Sequence, residues 1–186
     1  MIIVEGADCV GKSTLCKALF DDPYFQKLGF IISHFSRLPE GFMCPDNWLE
    51  RMTQKVIQDR FHISEPIYAP FNTARGNPKC CPDDFHAVHA KLRSMETALV
   101  VVLTAGTDLI TERVNDPSRE KEMFPLENII SANQNYTRYI DGTLPGNWPM
   151  YDHTLHFHSQ KEDDHQKKMK RRVRIIKDKY ESLRKK

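Results

Sequence analysis

Residues Gly6 to Thr14 (Gly-Ala-Asp-Cys-Val-Gly-Lys-Ser-Thr) fit G-x-x-x-x-G-K-[ST] at every fixed position, and nothing else in the chain constrains its folding as strongly. The apolar run Ile2 to Val4 before the motif reads as a buried parallel strand. Leu15, Leu19 and Phe20 after it fall at helical spacing with no Gly or Pro between. Strand, Gly-rich loop and helix together form the context that a phosphate-binding loop requires. Backbone N–H groups there cradle an anion at a helix N-terminus, where the dipole favours negative charge. Gly6, Ala7, Asp8, Cys9, Val10, Gly11, Lys12, Ser13 and Thr14 are therefore expected around the phosphates of ATP. Lys12 is expected on the β- and γ-phosphates and the Ser13 hydroxyl on Mg²⁺. A chance match in a glycine-containing turn is the alternative, and the context on both sides argues against it.

The 186 residues suit one domain, and 40% hydrophobic with 28% charged content suits a globular chain. A net charge of +2 makes no strong claim on nucleic acid or membrane for the chain as a whole. No apolar run approaches a membrane span, and Glu5 and the glycine motif arrive too early for a signal peptide. Five cysteines without a C-x-x-C pair argue for free thiols and a cytoplasmic location.

Further strands are expected over 30–35, 55–58, 98–103 and 153–158, with helices between them, so the fold class expected is α/β with a parallel sheet. Asp21-Asp22-Pro23 reads as a break, Asp46-Asn47 as a cap for a helix carrying Trp48, and Pro66 as the bend or end of a helix over 61–68. Thr107-Asp108 reads as the cap of the helix through Val114. The stretch 69–82, with Arg75, is a loop long enough to be functional. A core over 1–160 is expected to carry a lid at about 113–125. A basic helix follows over 161–186, in the same domain or at an interface.

Arg37 lies just beyond the second strand and Asp59-Arg60 just beyond the third, so both should project at the edge of the sheet that holds the phosphate loop. Two guanidiniums there suit a second phosphorylated ligand, because Arg binds phosphate oxygens bidentately. Asp59 is the acidic candidate beside the metal with Ser13. Arg113 and Arg119 flank the irregular 115–125 segment, which could close over the transferring phosphoryl group. The three histidines of the last strand, His153, His156 and His158, show no ligand spacing for a metal.

From the first strand to about Ile140 the chain resembles the thymidylate kinase family of nucleoside-monophosphate kinases. Val4-Glu5-Gly6-Ala7-Asp8 matches that family's loop, with Asp8 as its internal acidic residue. Ser36-Arg37-Leu38-Pro39 is similar to its T-R-E-P turn. Asp59-Arg60-Phe61-His62-Ile63-Ser64 followed by Tyr68 is similar to its D-R-Y-x-x-S signature. The resemblance implies the three-layer P-loop kinase fold. It implies an acceptor site drawn from Asp8, Arg37, Asp59, Arg60, Ser64 and Tyr68, with Phe42, Trp48 and Arg51 the nearby candidates for the base; Arg75, in a loop without a counterpart in the family, is a further substrate-binding candidate. The catalytic groups would be Lys12, Arg60, Arg113 and Arg119, the lid arginines acting because Cys9 and Val10 stand where some members carry Arg. The resemblance further implies ATP with Mg²⁺, a homodimer, and an acceptor such as dTMP or a modified deoxypyrimidine monophosphate. Compact members are often phage-encoded, which would place this one in a host cytoplasm. Leu38, Phe61 and Ala69 depart from the family's Glu, Tyr and Gln, and base preference stays open.

Met169, Val173, Ile176, Tyr180 and Leu183 form an apolar seam of coiled-coil spacing, surrounded by Lys167, Lys168, Lys170, Arg171, Arg172 and Arg174. Packing with a solvated basic face is the favoured reading of this helix; a nucleic-acid surface is possible but not favoured. Two other functions stay open. One is a kinase acting on a nucleoside or on a hydroxymethylated base in DNA, which needs a general base drawn from Asp8, Asp59 or Glu65. The other is a nucleotide-binding regulatory protein.

Overall fold

A computed structural model describes residues 1–34, 52, 55–71, 86–118, 124–145, 148, 150–161 and 164–185. The strands are β1 (Ile2–Gly6), β2 (Ile31–His34), β3 (Val56–Asp59), β4 (Leu99–Ala105) and β5 (Thr154–Ser159). The helices are α1 (Lys12–Phe20), α2 (Pro23–Lys27), α3 (Ser64–Tyr68), α4 (His86–Ser94), α5 (Thr107–Val114), α6 (Leu126–Ile140) and α7 (His165–Arg184). All strand pairings are parallel, in the order β2-β3-β1-β4-β5.

The short run of β-branched residues in β1 suits a strand buried on both faces. Ile2, Ile3 and Val4 have no exposed surface, and each stabilises the fold by roughly 1.5–3 kcal/mol through burial. Register decides what each side chain meets. Val4 lies opposite Asp59 and Val101, whereas Glu5 lies opposite Val102. Because side chains alternate along a strand, Val4 and Asp59 share one face of the sheet and Glu5 the other. Helix α1 lies on the first face, where Ser13 meets Asp59. Helix α6 lies on the second, where Tyr136 meets Glu5. That makes three layers. Helices α2 and α7 close the first layer, with Tyr180 edge-on to Phe25 and Phe30 at centroid distances of 6.1 and 5.4 Å. Strands β2 and β3 lie on one side of the central β1 and β4 and β5 on the other, so the strand order reverses beside β1, the place where open α/β sheets bind ligands at the carboxyl ends of their strands.

Several local expectations need correction. Pro23 does not merely break the chain; it occupies the first turn of α2, where its missing N–H costs nothing, and the Asp22 side chain accepts from the Tyr24 N–H at 2.9 Å. Pro66 likewise falls within the first turn of the short α3, which begins at Ser64, so it neither bends nor ends a helix begun at Phe61. Helix α5 is preceded by Gly106 as its cap, and Thr107 is already helical. Helix α7 begins at His165, because the Asp164 carboxylate accepts from the N–H groups of Gln166 and Lys167. Its seam packs on this chain's own core, with Ile176, Tyr180 and Leu183 buried. Arg172 is not on a solvated face: it is buried, donating to the Ser159 hydroxyl at 2.8 Å and the His158 carbonyl at 3.2 Å. The proposed Asn47-capped helix and the turn around Arg37 lie outside the described residues. Among the described residues, no helix is long and apolar enough to cross a membrane.

Candidate functional site

The loop between β1 and α1 holds its shape through backbone conformations that glycine permits. Gly6 has φ 149°, and a Cβ there would sit 2.4 Å from the Leu103 carbonyl oxygen of the neighbouring strand. Gly11 (φ 98°) and Cys9 (φ 63°) are also left-handed, so the loop turns its amides inward at the start of α1. Lys12, the first residue of α1, is buried at 6% exposure. Its ammonium donates to the Ala7 carbonyl at 2.5 Å and lies 3.7 Å from the Asp8 carboxylate.

The end of β3 meets this loop. The Arg60 N–H donates to the Val4 carbonyl at 2.9 Å, continuing the pairing with β1, while its backbone turns left-handed (φ 66°). A non-glycine residue held there costs of order 1–3 kcal/mol, the strain expected where function fixes a side chain. That side chain forms an ion pair with Asp8 and lies over the Tyr68 ring, 5.3 Å from its centroid. The Tyr68 hydroxyl accepts from the Asp8 N–H at 2.8 Å and faces the Asp8 carboxylate at 3.3 Å. Asp8, Arg60, Tyr68 and Lys12 therefore converge, as their positions in the sequence suggested. Beside them the Ser13 hydroxyl donates to Asp59 Oδ2 at 2.7 Å, and His34, at the end of β2, contacts the same oxygen at 3.3 Å. Asp59 Oδ1 is buried with no hydrogen-bond partner among the described residues. A hydroxyl beside an unsatisfied buried carboxylate oxygen is a hard-oxygen donor set, which fits Mg²⁺.

Behind the loop, on the other face of the sheet, Glu5 is fully buried. One carboxylate oxygen accepts from the Phe61 N–H at 2.9 Å. The other accepts from the hydroxyls of Ser64 at 2.6 Å and Tyr136 at 3.0 Å. Burial pushes this carboxyl up to about 7, against the lowering effect of the Ser64, Tyr136 and Phe61 hydrogen bonds and the charge of Arg60. Burial, followed by the Glu5 charge, raises Tyr136 well above its usual value. Ser64, expected at the acceptor, spends its hydroxyl on Glu5 and Tyr136. In the same layer the buried His62 shares a 2.9 Å hydrogen bond with the Tyr151 hydroxyl, and His89 stacks on that ring at 4.9 Å. Burial lowers both histidines, His89 to about 4.

These groups pull stability in opposite directions with pH. Glu5 keeps its proton in the folded state between about 4.5 and 7, where the unfolded chain loses it, so its contribution falls as pH rises through that window. The histidines stay neutral in the folded state where the unfolded chain binds protons, so theirs is lost as pH falls from 6.5 toward 4. Glu5→Gln, which keeps the shape and lets the two hydroxyls reorient, should therefore gain on the wild type as pH rises from 4.5 to 7. The gain should reach on the order of 3 kcal/mol. Urea melts of both proteins across this range measure it, and a difference that is flat with pH contradicts the assignment.

Arg113, near the end of α5, donates to the Cys9 carbonyl at 2.6 Å and so lies against the phosphate loop. Thr14 follows Ser13 on the exposed side of α1, and Ala7 and Val10 are buried beneath the loop. Arg37, Trp48, Arg75 and Arg119 lie outside the described residues. The sequence reading missed Glu5, Tyr136 and His34 as parts of the site. A carboxylate ending an apolar strand was the available signal for Glu5, whereas Tyr136 and His34 carried none.

No protein-family model matches the sequence, and a search of curated proteins gives no match. Solved structures do match. A deoxyadenosine kinase from M. mycoides with bound dATP superposes with a TM-score of 0.59 at 17% identity, covering 95% of this chain and 98% of that one. The structure of that kinase with the products dCMP and a flexible dCDP gives 0.55 at 18%, covering 98% of each chain. With bound dCTP it gives 0.54 at 18%, covering 96% of this chain and 100% of that one. Identities this low speak to architecture alone, and with the phosphate loop and the parallel five-stranded sheet they give one conclusion: the chain has the three-layer α/β fold of P-loop kinases.

Proposed function

We propose that this chain transfers the γ-phosphoryl group of ATP to a deoxynucleoside monophosphate, dTMP or a related or modified deoxypyrimidine monophosphate. The observation that carries the reading is Asp8. A carboxylate inside the phosphate loop is tied to Arg60 and Tyr68 on the neighbouring strand end and helix, so the donor loop and its flank form one charged site. In this reading the loop amides and Lys12 bind the triphosphate. Arg60, poised over Tyr68, spans donor and acceptor phosphates, and Arg113 with Arg119 brings positive charge from the lid. Ser13 and Asp59 would hold Mg²⁺, which supplies charge neutralisation on the bridging phosphates when bound. The acceptor's phosphate is already largely ionised near neutral pH, so no general base is needed. Arg37, just beyond β2, takes the acceptor's phosphate. Arg37→Ala should accordingly raise the acceptor KM about tenfold with little change in kcat, and an unchanged KM contradicts that placement. A homodimer would form through a surface other than the α7 seam, which the chain's own core covers.

A second reading is favoured by the likeness to a deoxyadenosine kinase whose structure carries dCMP as a product. Here the acceptor is a nucleoside hydroxyl, or a hydroxymethyl group on a base in DNA, and Asp8 accepts its proton as general base. Turnover with ATP against a panel of nucleosides, monophosphates and modified-base DNA separates the two.

A further inference from the structure

Helix α7 carries nine basic and two acidic residues, a net +7 in a chain whose total is +2, so the remainder of the molecule is at −5. Charge separated this sharply onto one element is an electrostatic footprint, and the kinase site described above does not use it. The helix borders a groove of about 550 Å³ against the edge strand β5, lined by His156, Phe157 and His158 on the strand side and, on the helix side, by Lys167, Lys168 and Arg171 with the single carboxylate of Asp164 at the helix start. Strand β5 is the last in the sheet. The Val100 N–H bonds to the His153 carbonyl and the Gly106 N–H to that of Ser159, so odd-numbered residues turn their backbone toward β4. By the alternation of a parallel ladder, His156 and His158 turn theirs outward along the groove. Their side chains lie on the other face of the sheet from α7, bonded to the Thr104 hydroxyl at 2.8 and 3.0 Å, whereas Lys167, Lys170, Arg171 and Arg174 are exposed on the helix. Buried Arg172 braces the wall, bonded to Ser159 and the His158 carbonyl and lying 5.4 Å from the Phe157 ring centroid.

We propose that this groove and the exposed basic face of α7 bind the phosphate backbone of nucleic acid. Clustered Lys and Arg attract a phosphate backbone. The charge is complementary to any polyanion, but two features separate nucleic acid from a membrane. The apolar seam of α7 is consumed by the core, and no large exposed hydrophobic among the described residues lies on α7, so nothing there would enter a bilayer. The cations also line a concavity, which a flat lipid surface cannot fill.

Fluorescence anisotropy with a labelled single strand of about 20 nucleotides, at salt near 0.15 M, tests this. Wild type should bind, with affinity falling steeply as salt rises. The double variant K168E/R171E should bind at least about tenfold more weakly and with a salt slope shallower by roughly one to two. K168Q/R171Q should weaken binding in the same direction, and the thermal midpoints of both variants should confirm that they are folded. Lys12→Ala should bind the strand as wild type does, which separates this surface from the kinase site. No binding by wild type, binding unchanged in both double variants, or loss in Lys12→Ala would overturn the proposal. Anionic phosphatidylserine vesicles bound as tightly as the strand, and released by the same charge changes, would overturn it in favour of a membrane surface.

Discussion

Lys12→Ala should lower kcat by about 10³-fold or more while leaving the protein folded. The ammonium lies in the mouth of the loop, buried, 2.5 Å from the Ala7 carbonyl and 3.7 Å from Asp8. No other described cation is anchored on the first turn of α1, so the charge developing on the transferred phosphoryl group would lose its nearest counter-charge. Stability should change little, because the side chain makes polar contacts at the crevice, with the Ala7 carbonyl and Asp8 among them, rather than core packing. Steady-state turnover beside a thermal melt checks both halves. Substantial residual turnover in a folded variant would show that Lys12 does not meet the transferring group.

Gly6→Ala should act through the fold itself. The position has φ 149°, and an added Cβ would sit 2.4 Å from the Leu103 carbonyl oxygen and 2.9 Å from Val10 Cγ2. Neither neighbour has room to yield, since the first is backbone in the central sheet and the second is a buried side chain under the loop. Backbone strain and overpacking each cost about 1–3 kcal/mol, so a loss of about 3 kcal/mol or more is expected, which lowers Tm by roughly 6–12 °C for a chain of this size. ATP binding should weaken with it, because the same displacement moves the loop amides. A melt within a degree or two of wild type contradicts the geometry of the loop.

The elements around the phosphate loop were legible because they rest on local signals. An apolar run, fixed glycines and helical spacing lie side by side in twenty residues, from Met1 to Phe20. Asp59 and Arg60 were legible for a related reason: a polar pair directly after a strand of a parallel sheet must emerge at its carboxyl edge. Glu5 was not. Its burial depends on donors 56, 59 and 131 residues away, and no local pattern records that three such groups will converge on one carboxylate. The seam of α7 was legible as a packing face, but not what it packs on. Spacings of four and three fit a partner helix and this chain's own sheet equally well, and only the tertiary structure decides between them. Arg172 sits in a run of basic residues that reads as solvated, yet the edge of β5 supplies a carbonyl and a hydroxyl that let it be buried. At Pro23 the break was legible, since α1 stops at Phe20, but proline also begins helices, and the Asp22 cap before it was the overlooked sign of α2.

The most direct test of the kinase reading is a coupled assay that follows ADP release from ATP and Mg²⁺ with each deoxynucleoside, each deoxynucleoside monophosphate and a hydroxymethylated-base DNA as acceptor. The proposed function predicts ADP release with a deoxypyrimidine monophosphate and formation of the matching diphosphate, with Lys12→Ala inactive on the same acceptor. ADP release only with a nucleoside or with DNA, or with no acceptor at all, would contradict it.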